Sequence, residues 1–178
     1  MPLDYAAYHA AAVPLAEYIA GAQKNRELWA AVYRGARVDE AAAARAAALP
    51  EPRHLLVISE DWCGDAVNSV PVVARLAELA PARLDLRMLA RDAHPALMDA
   101  HLVNGARSIP IVLALDPAFA LLGAWGPRPR ELQAWVLGPA GQALDKEARY
   151  KEVRRWYARD RGRAVASEVL DVLERAPR

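Results

Sequence analysis

The clearest hydrophobic feature of the chain is Leu55-Leu56-Val57-Ile58, an unbroken apolar run with polar residues on both sides. Such a run predicts a strand covered on both faces. A short polar loop then leads into residues 67–80, where Val70, Val73, Ala74 and Ala77 recur at helical spacing and Arg75 and Glu78 fall off the stripe. Pro81 breaks the chain, and Leu84, Leu86, Met88 and Leu89 alternate with Asp85 and Arg87 well enough for a second strand. Residues 93–103 predict a short helix with Asp92 as its cap, and residues 105–108 a turn. Residues 110–115 are a third apolar strand, and Pro110 fits only its first position, where no ladder N–H is needed. Asp116-Pro117 turns the chain into residues 120–125, the antiparallel partner of that strand. Pro127 and Pro129 then precede a helix over residues 130–137.

Helical pattern flanks this alternation on both sides. Residues 3–48 read as helices, with Tyr8, Leu15, Tyr18, Ile19, Leu28, Trp29 and Val32 as the buried positions. Pro14 suits a helix start, Gly21 and Gly35 suit helix ends, and Asp39 is positioned to cap a helix over residues 38–49 that Pro50 and Pro52 stop. Residues 144–176 read as two helices divided at Gly162. One carries Val153, Trp156 and Tyr157, the other Val165, Val169, Val172 and Leu173. A right-handed crossover places the first two strands parallel and adjacent.

Composition narrows the class. With 178 residues the chain can build one sizeable core, and its single cysteine excludes an intrachain disulfide or an all-cysteine metal site within one chain. A lone thiol fits a reducing compartment, and neither a signal peptide nor a membrane span is read from the apolar runs, so the expected location is cytoplasmic. A net charge of +1 argues against bulk attraction to nucleic acid or an anionic membrane. Residues 146–163 are locally basic, with eight basic residues against three acidic ones and Trp156 and Tyr157 interleaved. A solvated helix face with docked aromatics is the favoured reading, contact with an acidic partner or nucleic acid the alternative. His54, His94 and His101 show no spacing that suggests a shared metal site, and none is assigned. His94 and His101 are candidate bases only if the fold brings them to Cys63. Asp61 and Asp65 flank the cysteine as expected solvated loop residues, while Trp125 and Trp135 are expected in the core.

Cys63 falls where a strand hands over to a helix start. Unpaired N–H groups and the positive end of the helix dipole favour a thiolate there, with a pKa lowered from about 8.5 into the range ~3.5–7.5. Cys63 is therefore the candidate nucleophile. Around it, Trp62-Cys63-Gly64-Asp65-Ala66 opens a helix that contains Pro71, and Ser108-Ile109-Pro110 precedes an apolar strand. In these residues the chain resembles the thioredoxin superfamily over about residues 50–137. It is most similar to a bacterial branch with Trp-Cys-Gly-Asp-Ala in place of Trp-Cys-Gly-Pro-Cys. The resemblance implies a single thioredoxin-like α/β domain, a central mixed sheet flanked by helices, with residues 1–49 and 138–178 as helical extensions. It also implies a cis-proline loop at Pro110, and a substrate groove formed by Trp62, Gly64, Asp65, Ile109 and Pro110.

Two departures from the family pattern shape the expected chemistry. Ala66 stands where the resolving cysteine belongs, and Val57 where thioredoxins bury an aspartate behind the site. That acid serves mainly the absent second thiol, so the two losses are consistent. Asp65 adds a carboxylate that either repels the thiolate or caps the helix. The expected activity is monothiol thiol–disulfide exchange or deglutathionylation on protein or small-molecule disulfides. It uses no bound cofactor, with glutathione or another low-molecular-weight thiol as co-substrate. The alternative is a non-catalytic thioredoxin-like module that binds a protein partner. Coordination of an iron–sulfur cluster between two chains is weaker, since the Cys-Gly-Phe-Ser of such relatives is missing.

Overall fold

A computed structural model describes residues 3–175. Among these, β1 (Arg53–Ser59), β2 (Leu84–Ala90), β3 (Ile111–Leu115) and β4 (Leu121–Trp125) form one sheet in the order β2-β1-β3-β4. β1 runs parallel to β2 and antiparallel to β3, and β3 is antiparallel to β4. Paired on both edges, β1 buries Leu55, Leu56, Val57 and Ile58 completely, which is why its apolar run does not alternate. The parallel β1–β2 pair needs a crossover, and α5 (Gly64–Leu79) supplies it, with Pro71 inside the helix. The result is a mixed sheet flanked by helices, the predicted fold class.

The N-terminal pattern resolves into α1 (Tyr5–Ala11), α2 (Leu15–Gly21), α3 (Arg26–Gly35) and α4 (Glu40–Ala47). Asp4 and Asp39 cap α1 and α4 by accepting from the amides of Ala7 and Ala42. Between α1 and α2 the chain is extended, because Val13 pairs with Met88 and adds a short rung to β2. Leu15, Ile19 and Trp29 are buried as expected. Leu28 is not: it is 49% exposed, because α3 turns Trp29 inward instead. The helix predicted over residues 93–103 shrinks to α6 (Pro95–Asp99), and Asp92 is not its cap. The Asp92 carboxylate instead accepts from Arg91 Nε at 2.8 Å, and His94 occupies the cap position.

Beyond β4 lie α7 (Arg130–Leu137), the unpredicted turn of α8 (Pro139–Gln142), α9 (Lys146–Asp160) and α10 (Arg163–Leu173). Gly162 breaks α9 from α10 with φ +80°, and a Cβ there would lie 2.7 Å from Val72 Cγ2. The C-terminal pattern runs to Ala176, which lies outside the described residues. α10 packs against α4, α5, β3 and β4, so the C-terminal helix closes over the sheet and α5 together. Arg45 reinforces the contact from α4 by reaching Glu174 and Asp171 at 2.8 and 2.9 Å.

Gly126, directly after β4, has φ +130°, and a Cβ on it would sit 2.1 Å from the carbonyl oxygen of Pro110. Only glycine lets the end of β4 lie against this backbone. Gly126→Ala should therefore destabilise the protein by about 3 kcal/mol, at the upper end of overpacking costs. Equilibrium urea unfolding measures this, and a change below ~0.5 kcal/mol, the size of an ordinary surface substitution, would contradict the contact.

Candidate active site

The strand–helix junction brings two of the predicted residues into contact. Cys63 is the N-cap residue of α5, and its amide donates to the Glu60 carbonyl at 3.1 Å. Its Sγ donates to the carbonyl of Ile109 at 3.4 Å. Ile109 and Pro110 are buried and joined by a cis peptide bond. The thiol thus faces the loop that leads into β3, held there by a sulfur–carbonyl bond between segments 46 residues apart.

The electrostatics of the thiol run against the sequence expectation. Cys63 is only 6% exposed, and burial, with the Asp65 charge adding to it, pushes its pKa up to about 11. The backbone amides of Ala66 and Asp65 and the Arg128 charge pull the other way, so the helix start does favour the thiolate, as expected, but is outweighed by desolvation. The Ile109 carbonyl accepts only from a protonated sulfur and stabilises the same neutral form. In the resting protein Cys63 is a thiol, not a thiolate.

Asp65 requires the second correction. Expected to be solvated or to face substrate, it is 5% exposed and both its oxygens are occupied. Arg128 donates through Nε to Oδ1 at 2.9 Å and reaches Oδ2 through its second terminal nitrogen at 2.7 Å. The Tyr157 hydroxyl adds a bond to Oδ1 at 3.1 Å. Burial raises the Asp65 pKa, while Arg128 and Tyr157 lower it; the Tyr157 phenol is itself pushed up by burial and by the adjacent carboxylate. Gln133 steadies Arg128 from the other side, accepting at 2.9 Å. Neither Arg128 nor Tyr157 lies in a motif that marks it as a site residue from sequence. A signal was available, since Asp65 and Ser69 are one helical turn apart and continue the buried stripe of α5 toward Val72 and Val73.

The remaining predicted residues divide. Gly64 is the exposed first residue of α5, and Trp62 is 44% exposed with the Arg91 guanidinium 5.1 Å from its ring centre. Arg91 also donates to the Arg107 carbonyl at 3.2 Å, linking Trp62 to the approach of the Ile109–Pro110 loop. Asp61 is no idle loop residue: its Oδ2 accepts from the amides of Gln23 and Lys24 at 2.7 and 2.9 Å, and its carbonyl from Trp29 Nε1 at 2.9 Å. It therefore anchors the α2–α3 turn beneath the cysteine loop. Ala66 and Val57 are fully buried. His94 and His101 are engaged with α1, His94 edge-on to Tyr8 and His101 bonded to the Tyr5 hydroxyl at 3.0 Å. On α9, Val153 and Tyr157 are buried and Trp156 donates to Glu131 at 3.3 Å, so the basic segment docks its aromatic side inward.

The comparisons agree with this architecture. The thioredoxin family profile matches residues 12–154, beyond residues 50–137 at both ends, taking in α2–α4 and more than half of α9. A crystal structure of a protein of unknown function from Pseudomonas aeruginosa superposes with a TM-score of 0.75 at 21% identity, covering 97% of this chain and 98% of that one. A crystal structure of an HIV epitope scaffold gives the same TM-score at 20% identity, with the same coverage. At these identities the likeness speaks for the fold alone. None of the curated proteins matches the chain.

A thiol pKa of about 11 leaves about 300-fold less thiolate at pH 7.5 than an ordinary cysteine near 8.5 has. The higher nucleophilicity of a more basic thiolate recovers roughly tenfold. Alkylation of Cys63 by iodoacetamide should thus be roughly 30-fold slower than that of a free thiol at pH 7.5, even before burial is counted, and should climb with a midpoint near 11. A midpoint at or below ~8.5 would contradict the burial argument. Stability follows the same sign. The folded pKa lies above the unfolded one, so the neutral thiol stabilises the fold fully below about pH 8.5, and this contribution is lost as pH rises toward 11. The stability gap between wild type and Cys63→Ser should narrow across that window.

Proposed function

This chain belongs to the thioredoxin family, and from that premise we propose that it is a cytoplasmic monothiol oxidoreductase of the bacterial Trp-Cys-Gly-Asp-Ala branch, with Cys63 as its sole nucleophile. The observation that carries the reading is the contact between Cys63 Sγ and the Ile109 carbonyl beside Pro110. An extended substrate that pairs its backbone N–H with the Ile109 carbonyl removes the acceptor that stabilises the neutral thiol. The amides of Asp65 and Ala66 remain to favour the thiolate. Substrate binding and activation of the nucleophile thus become one event, and the resting cysteine is protected until it occurs.

The chemistry then follows the thiol's constraints. Cys63 gives up its proton to solvent, its thiolate attacks one sulfur of a disulfide, the S–S bond breaks, and the leaving thiolate takes up a proton. Ala66 offers no second sulfur, so the mixed disulfide persists until an external low-molecular-weight thiol such as glutathione attacks it, regenerating Cys63. Exposed Trp62, with Gly64, Ile109 and Pro110, shapes the groove. Asp65 contributes from behind, by fixing the start of α5.

A second reading has its own support. Burial and the raised thiol pKa suit a non-catalytic module that binds a protein partner on the same surface. The two separate cleanly. Under monothiol exchange, incubation with a peptide disulfide adds one half-disulfide mass to Cys63, glutathione removes it, and Cys63→Ser loses all turnover while staying folded. Turnover retained in Cys63→Ser would refute the assignment. A wild-type protein that binds the peptide but forms no adduct supports the module instead.

A further inference from the structure

His9, His54 and Asp85 are remote in the sequence and converge in the fold. His54 and Asp85 are register partners across the parallel β1–β2 pair, so their side chains share one face of the sheet. His9, in the last turn of α1, comes down on that face as α1 packs on β2. His9 Nε2 lies 3.2 Å and His54 Nδ1 3.8 Å from Asp85 Oδ2, and the three ligand atoms all lie within 4.8 Å of one another. The cluster sits at the N-terminal ends of β1 and β2. Cys63 follows the other end of β1, five residues from His54 to Ser59, or roughly 17 Å of strand. The two sites are independent.

The two ring nitrogens that face Asp85 lack hydrogen-bond partners. His9 is 8% exposed, and both its Nε2 and His54 Nδ1 are buried without a hydrogen bond. The 3.2 Å approach to Asp85 is close in distance but not aligned as a bond. Leaving two ring nitrogens unsatisfied is costly, and a divalent cation would satisfy both together with the carboxylate.

We propose that His9 Nε2, His54 Nδ1 and Asp85 Oδ2 form a binding site for a divalent transition-metal ion such as zinc. Two imidazoles and one carboxylate are a recurrent donor set for such ions. With metal–ligand bonds near 2.0–2.1 Å, a tetrahedral site has edges of roughly 3.4 Å. The two contacts to Asp85, 3.2 and 3.8 Å, bracket that value, and the third edge, between the two ring nitrogens and within 4.8 Å, closes as the imidazoles turn toward a shared ion. Outer contacts hold the ligands. Phe119 stacks on His54 at 4.2 Å and 7°, and Arg87 Nε lies 3.4 Å from Asp85 Oδ1, leaving Oδ2 for the metal. The Asp85 side chain is 46% exposed, so the remaining coordination position opens to water.

The test uses zinc alone, titrated calorimetrically into chelator-stripped, tag-free Cys63→Ser protein so that the thiol cannot contribute. One ion per chain should bind, and cobalt substituted into the same site should show visible ligand-field absorption. Asp85→Asn, a conservative change at a half-exposed position, should weaken zinc binding at least ~100-fold, the upper end of what losing even an outer-shell partner costs. His54→Ala should do the same, with circular dichroism confirming that both variants fold. Absence of binding, or binding that Asp85→Asn and His54→Ala leave unchanged, would overturn the site without touching the reading of Cys63.

Discussion

A carboxylate that is 5% exposed cannot stand alone, and the way Asp65 is satisfied organises the structure around the cysteine. Its partners come from two other parts of the chain: Arg128 from the loop after β4 and Tyr157 from the middle of α9. A planar guanidinium gripping both oxygens fixes direction as well as distance. The second residue of α5 is thereby pinned, and with it the N-cap position that Cys63 occupies. Removing either member of such a pair leaves the other charge buried and uncompensated, at a cost of roughly 3–5 kcal/mol. The C-terminal helices are therefore part of the site's support, through Tyr157 directly and through α10, which packs on α5.

The same arrangement sets the character of the thiol. Where a family member with two cysteines needs a nucleophile and a resolving thiol, this chain has one thiol and a fully buried Ala66. Asp65 raises the Cys63 pKa and Arg128 lowers it in part, so the ion pair tempers the carboxylate's effect while desolvation decides. The Ile109 carbonyl then holds the proton in place. On the proposed reading such a thiol resists adventitious oxidation and reacts slowly until a substrate displaces its acceptor, a reasonable property for a cysteine with no neighbour to rescue it.

Much of this was legible from residues alone. The apolar run of β1, the alternation in β2, the proline before β3 and the break at Gly162 all reported elements that formed, because each rests on local periodicity or backbone restriction. The junction of Cys63 with the Ile109–Pro110 loop followed from motif and element order. What was not legible depended on long-range satisfaction of polar groups. Asp65 reads as a solvated acid until Arg128 and Tyr157 arrive from 63 and 92 residues away. Leu28 and Trp29 are equally apolar neighbours, and only the indole's bond to the Asp61 carbonyl shows which one turns inward. His9 and His54 share no chain spacing at all, and strand register brings His54 opposite Asp85.

The central claim is that the Ile109 carbonyl couples substrate pairing to activation of Cys63, and a ratio of rates tests it most directly. Exchange of Cys63 with a linear peptide disulfide would be compared at pH 7.5 with exchange of a compact disulfide lacking amide N–H groups, each normalised to the rate of a free small thiol. The account predicts that the peptide gains at least ~10-fold over the compact disulfide after normalisation, corresponding to about one hydrogen bond's worth of pKa shift. Equal normalised rates would show that the thiol responds to nothing but its burial, and would contradict the coupling.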